Sequence, residues 1–269
     1  MPARPPFRVP SPLTRASTLS QPRLRLDALL VARSLADDLH AAQALVLAGD
    51  VVVGDHRADK PGQLVKHDVA VRLKHAPGRY VSRGGEKLAG ALDALSIDVA
   101  GLHCVDVGAS TGGFTDCLLQ RGALAVVAVD VGRGLLHERL RQDSRVIVKD
   151  RCHARDLCPA DLPFAPDLLV ADLSFIGLRP LLGSLIPLVR PGGDLLLMVK
   201  PQFEAERGEV PPGGVVSDPA LCAAIVGRVE AAARVAGAQV LGSAPAGVPG
   251  PKGNREVFLW LRRPTEVSA

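Results

Sequence analysis

A glycine-rich turn that joins a short apolar run to a following helix constrains this chain more than any other feature. Residues 102–107 are mostly apolar and predict a buried strand that ends beside Asp106, and Gly108, Gly112 and Gly113 follow it. A helix is predicted to begin after Gly113. A strand, a glycine-rich turn and a helix form the layout of a nucleotide-type ligand site, because glycine lets backbone N–H groups approach the ligand. A tight turn without a ligand is the alternative.

The segment after this turn alternates between predicted strands and helices. Apolar runs of strand length recur at residues 124–129, 145–148, 167–172, 193–199, 240–241 and 257–261, and an Ala-rich helix is predicted over 218–236. The alternation predicts an α/β fold whose doubly wound sheet binds its ligand at the carboxyl ends of the strands. The Gly/Pro-rich stretch 205–217 is a candidate lid.

Several charged residues fall at those strand ends. Asp130 lies 22 residues past Gly108, where an acidic side chain can accept hydrogen bonds from ribose hydroxyls. Asp150 either receives an adenine amino group or is a plain loop residue. Lys200 ends an apolar run, where an unpaired ammonium would be costly to bury. An ion pair with Asp172, or a side chain that reaches solvent, would explain Lys200 without a catalytic role.

The front of the chain has a different organisation and a basic charge. Helices are predicted over residues 24–33 and 38–48, and short strands over 51–53, 64–65 and 69–73. Residues 1–84 hold 13 Lys and Arg against 7 Asp and Glu, whereas the other 185 residues hold 19 against 21. This asymmetry either marks a surface that meets a polyanion or is a solvated basic tail.

Composition sets broader limits. The 269 residues are 47% hydrophobic, which excludes wholesale disorder, and no apolar run reaches the length of a membrane span. Residues 1–22 are rich in Pro, Ser and Arg, lack the apolar core of a secretory signal, and are predicted to form a disordered tail. The five cysteines are scattered without a C-x-x-C pair, which indicates a reduced cytoplasm and no structural zinc.

The run from Asp106 to Phe114 resembles the first motif of S-adenosylmethionine-dependent methyltransferases. This resemblance implies a Rossmann-like methyltransferase sheet and S-adenosyl-L-methionine as the cofactor. The predicted cofactor-binding residues are Asp106, Gly108, Ala109, Ser110, Thr111, Gly112, Gly113, Phe114, Asp130, Asp150, Asp172 and Phe175.

The front of the chain resembles the small α+β S-four RNA-binding domain. The resemblance rests on residues 25–27, 44–53 and 60–62, and it implies that basic side chains grip RNA phosphates. The predicted RNA-binding residues are Arg23, Arg25, Arg33, Arg57, Lys60 and Arg83. The chain is thus predicted to consist of a tail (1–22), an S-four-like domain (23–74), a linker (75–81) and a methyltransferase domain (82–269).

Four short segments extend the resemblance to one family. Residues 82–88, 172–175, 199–203 and 253–256 closely resemble the TlyA family of hemolysin A-like rRNA 2′-O-ribose methyltransferases, in which an S-four domain precedes an FtsJ-like domain. The catalytic residues that the resemblance implies are Lys87, Asp172, Lys200 and Glu256. It further implies a cytoplasmic enzyme that modifies ribosomal RNA or a ribosomal subunit, away from membranes. Tyr80, in the linker, stands where the relatives carry Trp.

The chemistry of the residues suggests a mechanism. A ribose hydroxyl needs a base before it can attack the methyl group of a sulfonium. Burial or a neighbouring cation lowers the pKa of a lysine amine enough for this task. Lys200 is therefore predicted to be the general base, with Asp172 and Lys87 orienting it and Glu256 fixing Lys87 or the sugar. No metal is required, because the leaving sulfide is neutral.

Two rival functions stay open at this point. The stretch Asp172-Leu-Ser-Phe175 faintly resembles the motif of enzymes that methylate amino groups of bases, in which Phe stacks on a flipped base. Both prolines of that motif are absent here. A non-catalytic RNA-binding or hemolysin-like protein is the other rival, and it would lack affinity for the cofactor.

Overall fold

The computed structural model describes residues 23–36, 38–73, 79–248, 250 and 253–265 of the chain. Contacts divide the chain into two compact units, Met1–Lys74 and His75–Ala269. The predicted tail and residues 75–78 of the predicted linker lie outside the described residues. Residues 79–81 belong to the second unit by their contacts.

The first unit packs two helices and short strands around a small apolar core. Its elements are β1 (Arg23–Arg25), α1 (Leu26–Ala32), α2 (Leu39–Ala48), β2 (Val51–Val53), β3 (His56–Arg57), β4 (Leu64–Lys66) and β5 (Val71–Leu73). Strand β1 pairs with β4, and β2 lies between β3 and β5, all antiparallel. Leu26, Leu30 and Val46 are fully buried at the centre of this core.

Local sequence explains where these helices begin and end. The Asp38 side chain accepts a hydrogen bond from Ala41 N at 2.7 Å, which satisfies a free N–H of the first turn of α2. Gly49 ends α2 with a left-handed φ of +74°. The predicted first helix begins later than expected, because Leu24 and Arg25 pair with β4 as part of β1.

The second unit is a seven-stranded sheet flanked by helices. Its helices are α3 (Arg83–Ala94), α4 (Gly113–Gln120), α5 (Glu138–Arg141), α6 (Leu182–Leu185), α7 (Pro201–Glu204) and α8 (Pro219–Val235). Its strands are β6 (His103–Val107), β7 (Ala125–Asp130), β8 (Val146–Asp150), β9 (Leu168–Ala171), β10 (Asp194–Val199), β11 (Gln239–Pro245) and β12 (Val257–Arg262). Short 3-10 turns occur at Pro159–Asp161, Arg179–Leu181 and Ile186–Leu188.

The strand order is β11-β12-β10-β9-β6-β7-β8. Strands β6 to β10 pair in parallel, whereas β12 runs antiparallel to β10 and β11. The chain leaves β6 toward β7 and β8 and returns on the other side of β6 with β9. Ligands of such sheets bind outside the carboxyl ends of the strands, at this reversal. The predicted α/β sheet is confirmed.

Side chains that alternate along the strands form a core on each face of the sheet. Val105 and Leu197 pack on one face with α6 and α8, whereas Cys104 and Met198 pack on the other with α3 and α4. Within the described ranges, no helix combines the length and the apolar character that crossing a membrane would need.

Candidate active site

The glycine-rich turn lies at the reversal point of the sheet, between β6 and α4. Gly108 has a φ of +86°, and a Cβ atom there would lie 2.6 Å from the Asp172 carbonyl oxygen. Gly112, which caps α4, has a φ of +95°. Residues with side chains rarely adopt this backbone, so both positions require glycine. The turn therefore lies directly against the residue that follows β9.

Asp130 ties the turn to the end of β7. Its Oδ2 atom accepts a hydrogen bond from Ser110 N at 2.8 Å, and its Oδ1 atom accepts one from Gly132 N at 2.7 Å. Each carboxylate oxygen can accept more than one hydrogen bond. Asp130 is half-buried and so retains acceptor capacity toward a ligand.

The segment after Asp130 supplies an apolar surface that the sequence analysis missed. Val131 is 68% exposed at the end of β7, where an aliphatic side chain suits the flat face of a purine. The sequence offered one indication of this role for Val131, namely its position next to an acidic residue at a strand end. Asp150 accepts hydrogen bonds from Gly134 N at 3.0 Å and from Arg141 at 3.3 Å, so it stabilises this neighbouring loop.

Asp106 lies beneath the turn. Its side chain is fully buried, and Oδ2 accepts hydrogen bonds from the amide and the hydroxyl of Thr115 at 3.0 and 2.7 Å. Burial raises the pKa of Asp106 to about 7. The structure thus corrects the prediction that Asp106 contacts the cofactor, because the side chain has no exposed surface. It fixes the start of α4 instead.

Asp106→Asn is expected to flatten the pH dependence of stability. The pKa in the folded state, about 7, lies above the ordinary carboxyl value of 3.8, so the folded state keeps a proton that the unfolded state loses. The carboxyl therefore destabilises the protein progressively as the pH rises through this window, by up to about 4 kcal/mol, with no further change above it. Urea unfolding of both proteins from about pH 4 to about pH 8 measures the effect. Parallel stability curves would contradict it.

The starts of α3 and α4 pack closely together. A Cβ atom on Gly113 would lie 2.2 Å from Ser82 Oγ. Phe114 is 3% exposed, and its ring centroid lies 5.7 Å from that of Phe258. The predicted cofactor contact by the Phe114 ring is corrected, because the ring is enclosed by apolar neighbours. Arg83, a predicted RNA-binding residue, is half-buried at the first position of α3.

Tyr80 and Val81 of the predicted linker belong to the packed body of the second unit. Tyr80 is 4% exposed, and a Cβ atom on Gly85 would lie 2.3 Å from its ring. Asp116 of α4 accepts hydrogen bonds from Val81 N at 2.8 Å and from Arg139 at 2.5 Å. These contacts attach the chain ahead of α3 to the helix that follows the glycine-rich turn.

Lys200 forms the first of two ion pairs at the carboxyl edge of the sheet. Its Nζ atom lies 2.5 Å from Asp172 Oδ1 and donates a hydrogen bond to Ser174 Oγ at 2.8 Å. The Lys200 side chain is 10% exposed, and Nζ lies 6.0 Å from the centroid of the Phe203 ring. Because Asp172 follows β9 and Lys200 follows β10, the pair joins the ends of neighbouring strands.

Lys87 and Glu256 form the second ion pair. Lys87 Nζ donates to Glu256 Oε2 at 2.5 Å, and the two side chains are 9% and 2% exposed. Val199 of β10 pairs with Val257 of β12, so Lys200 and Glu256 each lie one residue beyond this pair. The four predicted catalytic residues therefore meet as two pairs at the ends of β9, β10 and β12. The Lys87–Glu256 contact corresponds to the expectation that Glu256 fixes Lys87, whereas the expected orientation of Lys200 by Lys87 stays a prediction.

Phe175 lies on the same loop as Asp172 and Ser174. Its side chain is 93% exposed, its φ is +68°, and its ring centroid lies 5.7 Å from that of Phe203. The ring is therefore free to contact a ligand outside the sheet.

The predicted lid over residues 205–217 is anchored at several points. Arg228 of α8 donates to both carboxylate oxygens of Glu209, at 3.0 and 2.7 Å. The side chain of Asn254 is buried, accepts a hydrogen bond from Val216 N at 2.8 Å and donates one to Gly214 O at 3.0 Å. These contacts hold the segment against α8 and the chain ahead of β12.

The basic residues of the first unit that were predicted to bind RNA fall into two groups, those with exposed side chains and those whose side chains bond to other groups of the protein. Arg23, Arg57 and Lys60 are exposed. Arg33 is half-buried and donates to two backbone carbonyl oxygens, at 2.7 and 2.5 Å, so its described contacts hold the first unit together, and its role in RNA binding stays a prediction. Arg25 is paired with an aspartate of α1 at 2.6 Å, which leaves part of its guanidinium available.

Sequence reasoning missed several polar residues that build the site. Glu204 is 2% exposed; its carboxylate accepts a hydrogen bond from Leu178 N and lies 3.4 Å from Arg179 Nε. Ser174 and Thr115 stand inside or beside recognised motifs, and this adjacency was the only available signal. No cluster of His, Cys, Asp and Glu side chains suited to a metal occurs in the described part of the chain.

Comparison with known proteins identifies the family. The family model of FtsJ-like methyltransferases matches residues 80–263. The 16S/23S rRNA (cytidine-2′-O)-methyltransferase TlyA of Mycobacterium tuberculosis is 47% identical over 245 residues, 91% of each chain. Hemolysin A of Brachyspira hyodysenteriae is 36% identical over 72% of this chain and 81% of its own. A Streptococcus thermophilus structure, provisionally described as a hemolysin, is 36% identical, covers 92% of both chains and has a TM-score of 0.71. The resemblance inferred from the motifs is confirmed, and the chain belongs to the TlyA family of FtsJ-like methyltransferases.

Proposed function

We propose that this protein transfers a methyl group from S-adenosyl-L-methionine to a ribose 2′-hydroxyl of ribosomal RNA, at a cytidine, in the cytoplasm. The observation that carries the proposal is the pairing of two buried lysines with two carboxylates beside the glycine-rich turn. The name of the Mycobacterium tuberculosis relative supports the cytidine 2′-oxygen as the acceptor.

The residues of the turn fit the cofactor. Gly108 and Gly112 leave the backbone bare of side chains, and Asp130 and Val131 offer a carboxylate and an apolar surface at the neighbouring strand end. When bound, S-adenosyl-L-methionine supplies an electrophilic methyl group on a sulfonium. The turn and Asp130 would hold its nucleoside part, which leaves the ion pairs to act on the acceptor.

Asp130→Ala is expected to weaken cofactor binding about 10- to 100-fold. The variant loses acceptors for ribose hydroxyls and also the hydrogen bonds that hold Ser110 N and Gly132 N, together worth about 1–3 kcal/mol. Isothermal calorimetry with S-adenosyl-L-methionine measures the change, and a thermal unfolding scan checks that the variant is folded. Unchanged affinity would contradict the placement of the ribose at Asp130.

Lys200 is the general base of the proposed reaction. Its Nζ atom lies at the carboxyl edge of the sheet with little exposure, held by Asp172 and Ser174, which is the place from which a base would reach the 2′-hydroxyl. Asp172 orients this amine. Lys87 and Glu256 form a fixed, formally neutral pair beside it, which suits a role in holding the sugar without adding net charge.

Phe175 supports a nucleic-acid substrate. An aromatic ring that is 93% exposed and lies beside a catalytic loop offers a stacking surface for an unpaired base. We therefore assign Phe175 to the target nucleotide, whereas the sequence analysis assigned it to the cofactor.

The first unit supplies the affinity for ribosomal RNA or a ribosomal subunit. Changing Arg57 and Lys60 together to Ala is expected to weaken RNA binding and to reduce the slope of log K against log salt by about 1 to 2, because two phosphate contacts are lost. Cofactor affinity should not change. Filter binding over a salt series measures the slope, and Arg33→Ala, whose side chain bonds to backbone carbonyls, is the comparison. An unaltered slope would show that Arg57 and Lys60 do not contact RNA phosphates.

Mapping of the modification tests the proposed function directly. Ribosomal RNA incubated with the protein and S-adenosyl-L-methionine should become resistant to cleavage at one linkage, because a 2′-O-methyl group removes the hydroxyl that cleavage needs. A methylated base would leave the linkage cleavable and favour the base methyltransferase. A protein without cofactor affinity would favour the non-catalytic rival.

A further inference from the structure

The amine of Lys200 has two oxygen neighbours, only one of which is part of the four-residue set. Asp172 Oδ1 lies 2.5 Å from Nζ, and Ser174 Oγ accepts a hydrogen bond from Nζ at 2.8 Å. A lysine side chain ends in a freely rotating group with three donors. The hydrogen bond to Ser174 together with the close ion pair to Asp172 restricts this rotation more than the ion pair does alone.

The loop that carries Ser174 is anchored to α7, the helix that begins directly after Lys200. Glu204, buried in α7, accepts a hydrogen bond from Leu178 N and lies 3.4 Å from Arg179 Nε. The left-handed backbone at Phe175 is strained for a residue with a side chain, so it persists only where neighbouring contacts impose it. The backbone that carries Ser174 is therefore constrained by contacts other than the hydrogen bond to Lys200.

We propose that Ser174 is a positioning residue that aims the lone pair of Lys200 at the 2′-hydroxyl, a role that rests on the proposed function of Lys200 as the base. A neutral amine has two N–H groups and one lone pair in a tetrahedral arrangement. When Ser174 accepts one N–H group and the carboxylate of Asp172 holds the amine by charge, the directions open to the lone pair are restricted. During transfer the proton moves from O2′ to Nζ, the O2′–methyl bond forms, the methyl–sulfur bond breaks, and the bonding pair stays on the neutral sulfide.

A structural role does not explain this serine. Ser174 is exposed, so its side chain fills no space in the core. Its only described hydrogen bond is the one to Lys200. Removal of the hydroxyl should therefore leave folding and ligand affinity unchanged and act only on the rate of the chemical step.

The test compares Ser174→Ala with Ser174→Thr, which retains the hydroxyl, and with Ser243→Ala on the exposed face of β11. Single-turnover methyl transfer to ribosomal RNA should be about 10- to 100-fold slower in Ser174→Ala, a loss smaller than that of a whole general base. KM for RNA and calorimetric affinity for S-adenosyl-L-methionine should stay within about twofold of the parent. Ser174→Thr should regain most of the rate, and Ser243→Ala should match the parent.

The outcomes separate the two proposals. The role of Ser174 would be overturned if Ser174→Ala transferred methyl groups at the parental rate, or if Ser174→Thr were as slow as Ser174→Ala. In either case the proposed function would stand as long as the parent methylates ribose. A higher KM with an unchanged rate would also overturn it. A parent that methylates no ribose would overturn the proposed function, and the role of Ser174 would fall with it.

Discussion

Lys200→Arg is expected to bind S-adenosyl-L-methionine and ribosomal RNA like the parent, yet to transfer methyl groups about 100 to 10,000 times more slowly. Arginine keeps the positive charge that pairs with Asp172, but its guanidinium does not lose a proton in proteins. The variant therefore retains the electrostatics of the site and lacks the base. Single-turnover transfer to ribosomal RNA measures the chemical step without interference from product release.

Lys87→Arg is the matched comparison. Lys87 is paired with Glu256, and a guanidinium can keep that ion pair, so a smaller loss of rate is expected. A Lys200→Arg variant that transfers methyl groups at the parental rate would show that Lys200 is not the general base. A larger loss in Lys87→Arg than in Lys200→Arg would move the assignment to Lys87.

Glu256→Ala is expected to lower the free energy of unfolding by about 3–5 kcal/mol and to remove activity. The substitution leaves the Lys87 ammonium buried, 9% exposed, without its carboxylate. Breaking a buried ion pair on one side is costly because the remaining charge has lost both water and its partner. Urea unfolding at neutral pH measures the loss of stability.

Two further variants check this explanation. The double variant Lys87→Met with Glu256→Leu removes both charges and should regain most of the lost stability while remaining inactive. Asp194→Ala breaks the Arg262 ion pair, whose Arg side chain is 42% exposed, and should cost no more than about 1 kcal/mol. A Glu256→Ala protein as stable as Asp194→Ala would show that the Lys87 charge is not effectively buried.

Features that depend on short stretches of sequence were predictable. The strand before Gly108, the helix after Gly113 and the Ala-rich helix α8 all follow from patterns within a few residues, and the structure agrees. Strand ends with charged residues also located the site, because the carboxyl ends of parallel strands share one edge.

Features that depend on distant contacts were not predictable. Asp106 has the sequence position of a ligand-binding residue, but the depth of its burial follows from α4 packing over it. Tyr80 lies in a stretch with linker composition, and its burial depends on a pocket between α3 and α4. The bond between Glu204 and Leu178 N joins residues 26 apart that no spacing rule connects.

The place of β12 in the sheet has a consequence for synthesis of the chain. This last strand inserts between β10 and β11, and it brings Glu256 to a lysine 169 residues earlier. A ribosome adds only about 5–20 residues each second. For some seconds the nascent protein therefore has β10 as an open edge of the sheet, and Lys87 has no Glu256 to pair with. The apolar residues of β10 make that edge a template for association with other chains. Premature termination before Val257 should thus yield a product prone to aggregation and proteolysis.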